Sequence, residues 1–217
     1  MDVSLNTMKR FRIKYAKIEA LKYTSGLEVQ KIWERSLRRG HLPVAYSQGF
    51  HPQARLSQAA PLPLGFTSIA EWIDIWFTDE ITLESLTLDL PKAVPPGIEI
   101  LAVEEISLSH STMQNNFVAA TYRVIVLKKI ETSELTQQVQ HLLEKTGLPR
   151  IRRKKEYDLR PLIEELTVGE PQDQWPVLWM KLAARPGATG RPEEVMIELG
   201  LDPFESRIEK TETFFSA

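Results

Sequence analysis

Lys31, Arg35 and Arg38 recur at i, i+4 and i+7, a spacing that sets three cations on one helical face with Arg39 alongside. Guanidinium groups at that pitch can meet successive phosphates or a carboxylate-rich partner. The plain alternative is a solvated helix face on which Glu34 pairs with Arg38, and spacing alone favours it. Further along, Tyr46-Ser47-Gln48-Gly49-Phe50-His51-Pro52, followed by Arg55, gathers rings, a hydroxyl, an amide, an imidazole and a guanidinium. That mixture suits a small molecule or single-stranded RNA, whose bases stack on aromatics and whose edges take hydrogen bonds. Gly49 permits an unusual backbone angle and Pro52 stiffens the exit. The competing reading is an ordered structural loop with Tyr46 and Phe50 plugging the core. His51 has no carboxylate nearby in sequence to orient it as a general base.

A further set comprises Lys154, Lys155, Asp158, Arg160 and Arg191. The run Lys-Lys-Glu-Tyr-Asp-Leu-Arg reads either as a polar, partly buried strand edge or as a solvated strand with cross-strand ion pairs. The segment Arg185-Pro186-Gly187-Ala188-Thr189-Gly190-Arg191 lacks the Gly-Lys-Ser/Thr ending of a phosphate-binding loop, so a hairpin or strand-to-helix loop is expected. No serine-nucleophile elbow, kinase-type set or paired-carboxylate signature appears. The residues nominate no catalytic machine.

Composition narrows the chemistry further. The chain has no cysteine, which removes thiolate ligands for an iron–sulfur cluster and all thiol chemistry. His41, His51, His110 and His141 are scattered without metal-ligand spacing, so no cofactor or metal is expected on this chain. No apolar run approaches the roughly 20 residues that span a bilayer, and the N-terminal stretch lacks the apolar core of a secretory signal. A cytoplasmic protein without a membrane partner is expected. Net charge is −2, yet residues 1–60 hold 11 Lys/Arg against 4 Asp/Glu while residues 61–110 hold 1 against 9. A second basic knot follows at Arg150-Ile151-Arg152-Arg153-Lys154-Lys155. The asymmetry fits an anionic partner, and fits equally two segments that neutralise each other in the fold.

The elements that position these residues read as a βαββαβ order, then a repeat of it. Phe11, Ile13 and Tyr15 alternate with Arg12 and Lys14 across residues 9–18, a half-buried strand. Ser25 and Glu28 have capping-box spacing, Val29, Ile32, Trp33 and Leu37 form the apolar face of a helix, and Gly40 is placed to stop it. A strand over 55–64, interrupted by Pro61 and Pro63, belongs at an edge. A strand over 71–78 carries Ile73, Ile75 and Phe77 on one face and Trp72, Asp74 and Trp76 on the other, so both faces should be covered, the second by the other lobe. A short helix over 83–90 and a strand over 97–106 complete the unit. Strand 117–128, helix 133–145, a strand pair within 150–168 and 176–184, helix 192–199 and strand 206–215 repeat the order. The expected fold class is α+β: two tandem ferredoxin-like lobes, 1–110 and 111–217.

The run from Leu42 to Pro52, then Arg55-Leu56-Ser57 and Pro61-Leu62-Pro63-Leu64-Gly65, resembles the radical-SAM-linked protein family. Glu34-Arg35-Ser36-Leu37-Arg38-Arg39, Asp158-Leu159-Arg160-Pro161 and Arg191-Pro192-Glu193-Glu194-Val195 fit as well. The family is a bacterial domain of uncharacterised function found beside or fused to a radical S-adenosylmethionine enzyme. The resemblance implies such an enzyme as partner, supplying the cluster and radical that a cysteine-free chain lacks. One departure stands out: Ser25-Gly26-Leu27-Glu28 occupies the place of the family's Ser-His-Leu-Asp. Tandem lobes with basic helices also resemble CRISPR-repeat endoribonucleases, in fold alone.

Together these readings lead to an expected non-catalytic accessory module that binds RNA or another anionic substrate for a radical-SAM enzyme. The alternatives are a metal-independent RNA-processing or RNA-modifying enzyme using His51 or Tyr46, and a protein-binding scaffold for the same partner.

Overall fold

Alternation decides the first strand: Phe11, Ile13 and Tyr15 are buried on one face of β1 (Lys9–Lys17) because each second residue points the same way. The computed structural model describes residues 8–78, 80–152, 154–185 and 188–216. Helix α1 (Gly26–Arg39) starts where its residues dictate. Ser25 Oγ accepts from the Glu28 amide at 3.3 Å, and the Glu28 carboxylate accepts from the Ser25 amide at 2.7 Å, closing the capping box. Its end departs from the simple glycine stop. Gly40 has an ordinary φ of −76°, and His41 takes the left-handed turn at +50°. Gly40 is there for room: a Cβ would lie 2.7 Å from the Cβ of Ala93.

The expected 55–64 strand shrinks to β2 (Leu56–Gln58), since prolines at 61 and 63 cannot donate to a ladder. The next strand is longer than its sequence pattern, β3 (Phe66–Phe77). Helix α2 (Leu83–Ala93) runs past Leu90 through Pro91, its end held by the Val94 amide on Leu90 O at 3.3 Å. With β4 (Ile98–Ile106), the strands form an antiparallel order β2-β3-β1-β4. One face of that sheet buries Phe11, Ile13, Tyr15, Ile73, Ile75 and Phe77 against Val29, Trp33 and Leu37 of α1 and Leu86 and Leu90 of α2. Tyr15 meets Trp33 edge-on at 5.1 Å between ring centroids, and each fully buried large apolar side chain contributes about 1.5–3 kcal/mol.

On the opposite face of the first sheet the chain that follows β4 meets Arg10. After β4 the backbone folds back and ends in a one-turn helix, α3 (Met113–Asn116), whose Met113 is buried. Arg10 reaches out of the sheet to donate to the carbonyls of His110 at 2.6 Å and Ser111 at 3.2 Å. The segment around the expected 110/111 boundary is therefore tied to the first unit as a strap.

The chain divides into two units between Asn116 and Phe117. In the second, β5 (Phe117–Val126) leads to α4 (Thr132–Glu144), which buries Leu135, Val139 and Leu142. The expected strand at 150–168 is broken: a hairpin of β6 (Pro149–Arg152) and β7 (Lys155–Asp158) precedes β8 (Ile163–Gln172). Then come β9 (Trp175–Arg185), the short β10 (Ala188–Thr189), α5 (Pro192–Glu198) and β11 (Ser206–Phe215). The order β8-β9-β5-β11 is antiparallel throughout, with β10 on β9. The protein is thus α+β with mostly antiparallel sheet. Arg153, Pro186 and Gly187, part of the basic knot and of the 185–191 loop, lie outside the described residues.

Candidate nucleic-acid interface

Helix α1 buries Val29, Trp33, Ser36 and Leu37, and the 3.6-residue period therefore turns Lys31, Arg35, Arg38 and Arg39 outward. Among the described residues, Lys31, Arg35 and Arg38 form no ion pair. Glu34, the expected partner of Arg38, instead accepts from Gln30 Nε2 at 3.3 Å. Glu28 lies near Lys31, and its bonds to Ser25 hold its carboxyl below the usual carboxylate range, with Lys31 adding to that effect. Arg39 is committed elsewhere, donating to the carbonyl of Ala93 at the end of α2.

The loop over 46–54 is a projecting hairpin clamped at its base. Tyr46 bridges Ala54, the Ser47 amide donates to Gln53 O at 2.8 Å, and the Gln53 amide donates to Ser47 Oγ at 3.0 Å. Below the clamp, Ala45 and Arg55 lock onto Trp76 of β3 through backbone bonds of 2.7 and 3.0 Å. Gly49, at φ +128°, has nothing within 4 Å of a would-be Cβ, and Phe50 is fully exposed. Gln48 and His51 are also exposed, and Tyr46 is half-exposed. The rings expected as core plugs in the competing reading stand in water instead.

Arg55 is set apart from the helix. Its guanidinium lies 5.4 Å from the Trp76 ring centroid and donates to Met8 Sδ at 3.0 Å. Trp76 shares its face with Arg10, which stacks on it at 4.8 Å, and that face is opposite the one packed on α1. The sheet stands between Arg55 and the Lys31–Arg35–Arg38 row. The row leads towards the loop by the chain itself, since only Gly40–Ala45 separates the last turn of α1 from Tyr46.

Part of the charge asymmetry is internal. Asp74 is fully buried and accepts from Arg10 Nε at 3.1 Å and from Arg12 Nε at 2.9 Å and Nη2 at 3.1 Å. Lys14 rests 5.7 Å above the Trp72 ring. Arg10 and Arg12 thus share one buried carboxylate, whereas Lys31, Arg35 and Arg38 have no ion pair among the described residues.

In the second unit most of the singled-out residues have structural duties. Asp158 Oδ1 accepts from the amides of Leu148 at 2.6 Å and Arg160 at 2.9 Å. Arg160 caps α4 by donating to Leu143 O at 2.9 and 3.2 Å. Lys154 makes the turn of the β6–β7 hairpin at φ +66°, and Lys154 and Lys155 are exposed. Arg191 precedes α5 as its N-cap and lies near Tyr157. A cleft of about 520 Å³ beside the hairpin is lined by Arg150, Tyr157 and Asp158 among others. Two of its polar groups are engaged by α5: Tyr157 donates to Glu194, and Arg150 pairs with Glu198, which also holds Lys145. Burial and the neighbouring Glu194 push the Tyr157 hydroxyl up to about 12.

A second cleft, about 500 Å³, opens between the first turn of α1 and the outer edge of β2. Its wall holds Gln30, Ser57, Gln58 and Gln114, which sequence reasoning did not single out as site residues. Ser57 lies within a noted motif, but nothing in the spacing signals that Gln114 of the strap comes to the same place. Among the described residues no group of His, Asp and Glu is arranged to hold a metal ion, and no helix is long and apolar enough to cross a membrane.

Fold and surface together define an α+β protein of two antiparallel-sheet units that presents an unneutralised basic helix row and a projecting aromatic loop. It belongs to a family described as uncharacterized protein conserved in bacteria (DUF2344), whose pattern matches residues 10–192. No curated protein matches the chain. Among solved structures, an unknown protein from Galdieria sulphuraria aligns over 97% of this chain and 100% of its own at 13% identity with a TM-score of 0.27, too slight to inform fold or function.

Proposed function

We propose that this protein is a non-catalytic accessory module that binds RNA along α1 and the 46–54 loop and presents it to a radical-SAM enzyme. One observation carries the reading: Lys31, Arg35 and Arg38 are exposed and form no ion pair among the described residues, while Arg10 and Arg12 share Asp74. A row of cations that the fold does not neutralise is available to phosphates. The exposed Phe50 ring and half-exposed Tyr46 ring add stacking surfaces of the kind that hold single-stranded bases. The enzyme partner rests on the resemblance of the 34–65 motifs to the radical-SAM-linked family. In the same reading each unit is a ferredoxin-like lobe, supported by the shared strand orders β2-β3-β1-β4 and β8-β9-β5-β11 and by the intervening helices.

The test is a salt titration of single-stranded RNA binding by the full chain. Binding that falls steeply with salt, and falls less steeply in an Arg35→Ala/Arg38→Ala variant, supports the reading. Absence of salt-sensitive binding to RNA sinks it. Co-purification with the radical-SAM enzyme that is lost on nuclease treatment indicates RNA bridging, whereas retention indicates a scaffold that grips the enzyme directly.

A further inference from the structure

We infer that the cleft between α1 and β2 is a base-binding subsite, taking one unpaired nucleobase from a strand whose phosphates run along Lys31, Arg35 and Arg38. The inference rests on the RNA-binding reading above and goes beyond it by naming where and how a base is read.

The lining decides the chemistry of the occupant. Among the described residues no ionisable side chain lines the cleft; its polar groups are Ser25, Ser57 and the amides of Gln30, Gln58 and Gln114. Gln30 and Gln58 each spend one N–H, on Glu34 at 3.3 Å and on Gly26 O at 3.2 Å, and keep a second N–H and the carbonyl; with Gln114 these are the donor and acceptor functions that the edges of bases present. Leu27, 75% exposed at the mouth, and Pro61 supply apolar surfaces against which a flat ring can lie. The volume, about 500 Å³, falls within the range of small-molecule sites and holds a nucleoside comfortably.

A phosphate is the wrong occupant. The first-turn amide of Glu28 is already taken by Ser25 Oγ, and the Ser25 amide is taken by the Glu28 carboxylate. The Glu28 carboxyl, held below its usual range by Ser25, places a negative charge in this first turn and offsets the attraction of the helix end for an anion. The neutral part of a nucleotide fits the cleft and its phosphate fits the neighbouring row. On the helical wheel Leu27, Gln30 and Lys31 are adjacent, so cleft and cation row share a border along α1.

A peptide strand added to β2 is the competing occupant. Three residues of strand allow only two or three ladder bonds, and the prolines after it shorten the edge further. The amide-rich lining has no role in such pairing. The base is the better match.

The experiment measures binding of the full chain to equal-length single-stranded RNAs of A, C and U and to an abasic oligomer of the same charge, across a salt series. The wild type is expected to prefer one base over the abasic strand by roughly tenfold. Gln30→Leu/Gln114→Leu keeps the shape of the cleft, avoids the Gln58 bond to Gly26 O at 3.2 Å, and is expected to erase the preference without changing the salt slope. An abasic strand that binds as tightly as the others, or a preference that survives the double variant, overturns the subsite while leaving the RNA-binding reading intact. Failure of every oligomer to bind overturns both.

Discussion

Arg10 and Asp74 form a buried ion pair across β1 and β3, with the Arg10 guanidinium also stacked on Trp76 and tied to the strap at His110 and Ser111. The pair neutralises part of the basic N-terminal segment and anchors the chain that covers the sheet. Removing one partner leaves the other charged, buried and uncompensated. Asp74→Ala, which strands both Arg10 and Arg12, is therefore expected to cost about 3–5 kcal/mol, read as a lower urea midpoint, whereas an Arg10→Met/Arg12→Met/Asp74→Leu triple variant recovers most of the loss. A single variant that unfolds at the wild-type midpoint contradicts this.

The cations of α1 and Arg55 should separate in their effects. For single-stranded RNA, the salt slope falls by about 0.7 for every phosphate the protein no longer neutralises. Arg35→Ala/Arg38→Ala is expected to flatten the slope of RNA binding accordingly. Arg55→Ala, on the other face of the sheet, is expected to leave the slope unchanged and lower the melting temperature by weakening the packing on Trp76. Equal slopes for wild type and the helix variant remove α1 from the interface.

The capping box at Ser25 and Glu28 sets an acid dependence. Glu28 has a carboxyl held below its ordinary range in the folded state, chiefly by the Ser25 amide. Its contribution is present at neutral pH, above the unfolded value, and is lost as pH falls through the folded value. Glu28→Gln should flatten the acid limb of a stability profile. Ser25→Ala should cost about 1 kcal/mol at neutral pH, measured by urea denaturation.

Tyr157 gives an alkaline counterpart. Its hydroxyl titrates at about 12 in the folded state, above its ordinary value of 10.0, through burial and Glu194. The folded state holds that proton more tightly, so the contribution is present below about 10 and lost as pH rises towards 12. An ultraviolet titration of phenolate should show this late tyrosine and lose it in Tyr157→Phe. A Tyr157 that ionises at its ordinary value breaks the assignment.

Several elements are legible in the residues themselves. The capping box of α1, the inward set Val29, Trp33 and Leu37 and the alternation of β1 are all local patterns, and the structure contains them. The outward direction of Lys31, Arg35 and Arg38 follows from the same period. The stretch over 46–54 reads as a loop from its composition, but the full exposure of Phe50 does not, because an aromatic ring carries the same propensity whether it plugs a core or stands in water.

Local spacing by itself determined the capped start of α1, the alternation of β1 and the apolar face of each, since those depend on neighbours within a few residues; the lengths of β2 and of the 150–168 strands were not so determined. Tertiary structure alone decided which charges cancel. Arg10 finds Asp74 64 residues away, Arg55 is drawn to Trp76 and away from α1, and Gln114 reaches the cleft beside Gln30. Such pairings depend on strand register and on the path of the strap. No window of sequence encodes the distance between residues that meet only after the chain has folded back on itself.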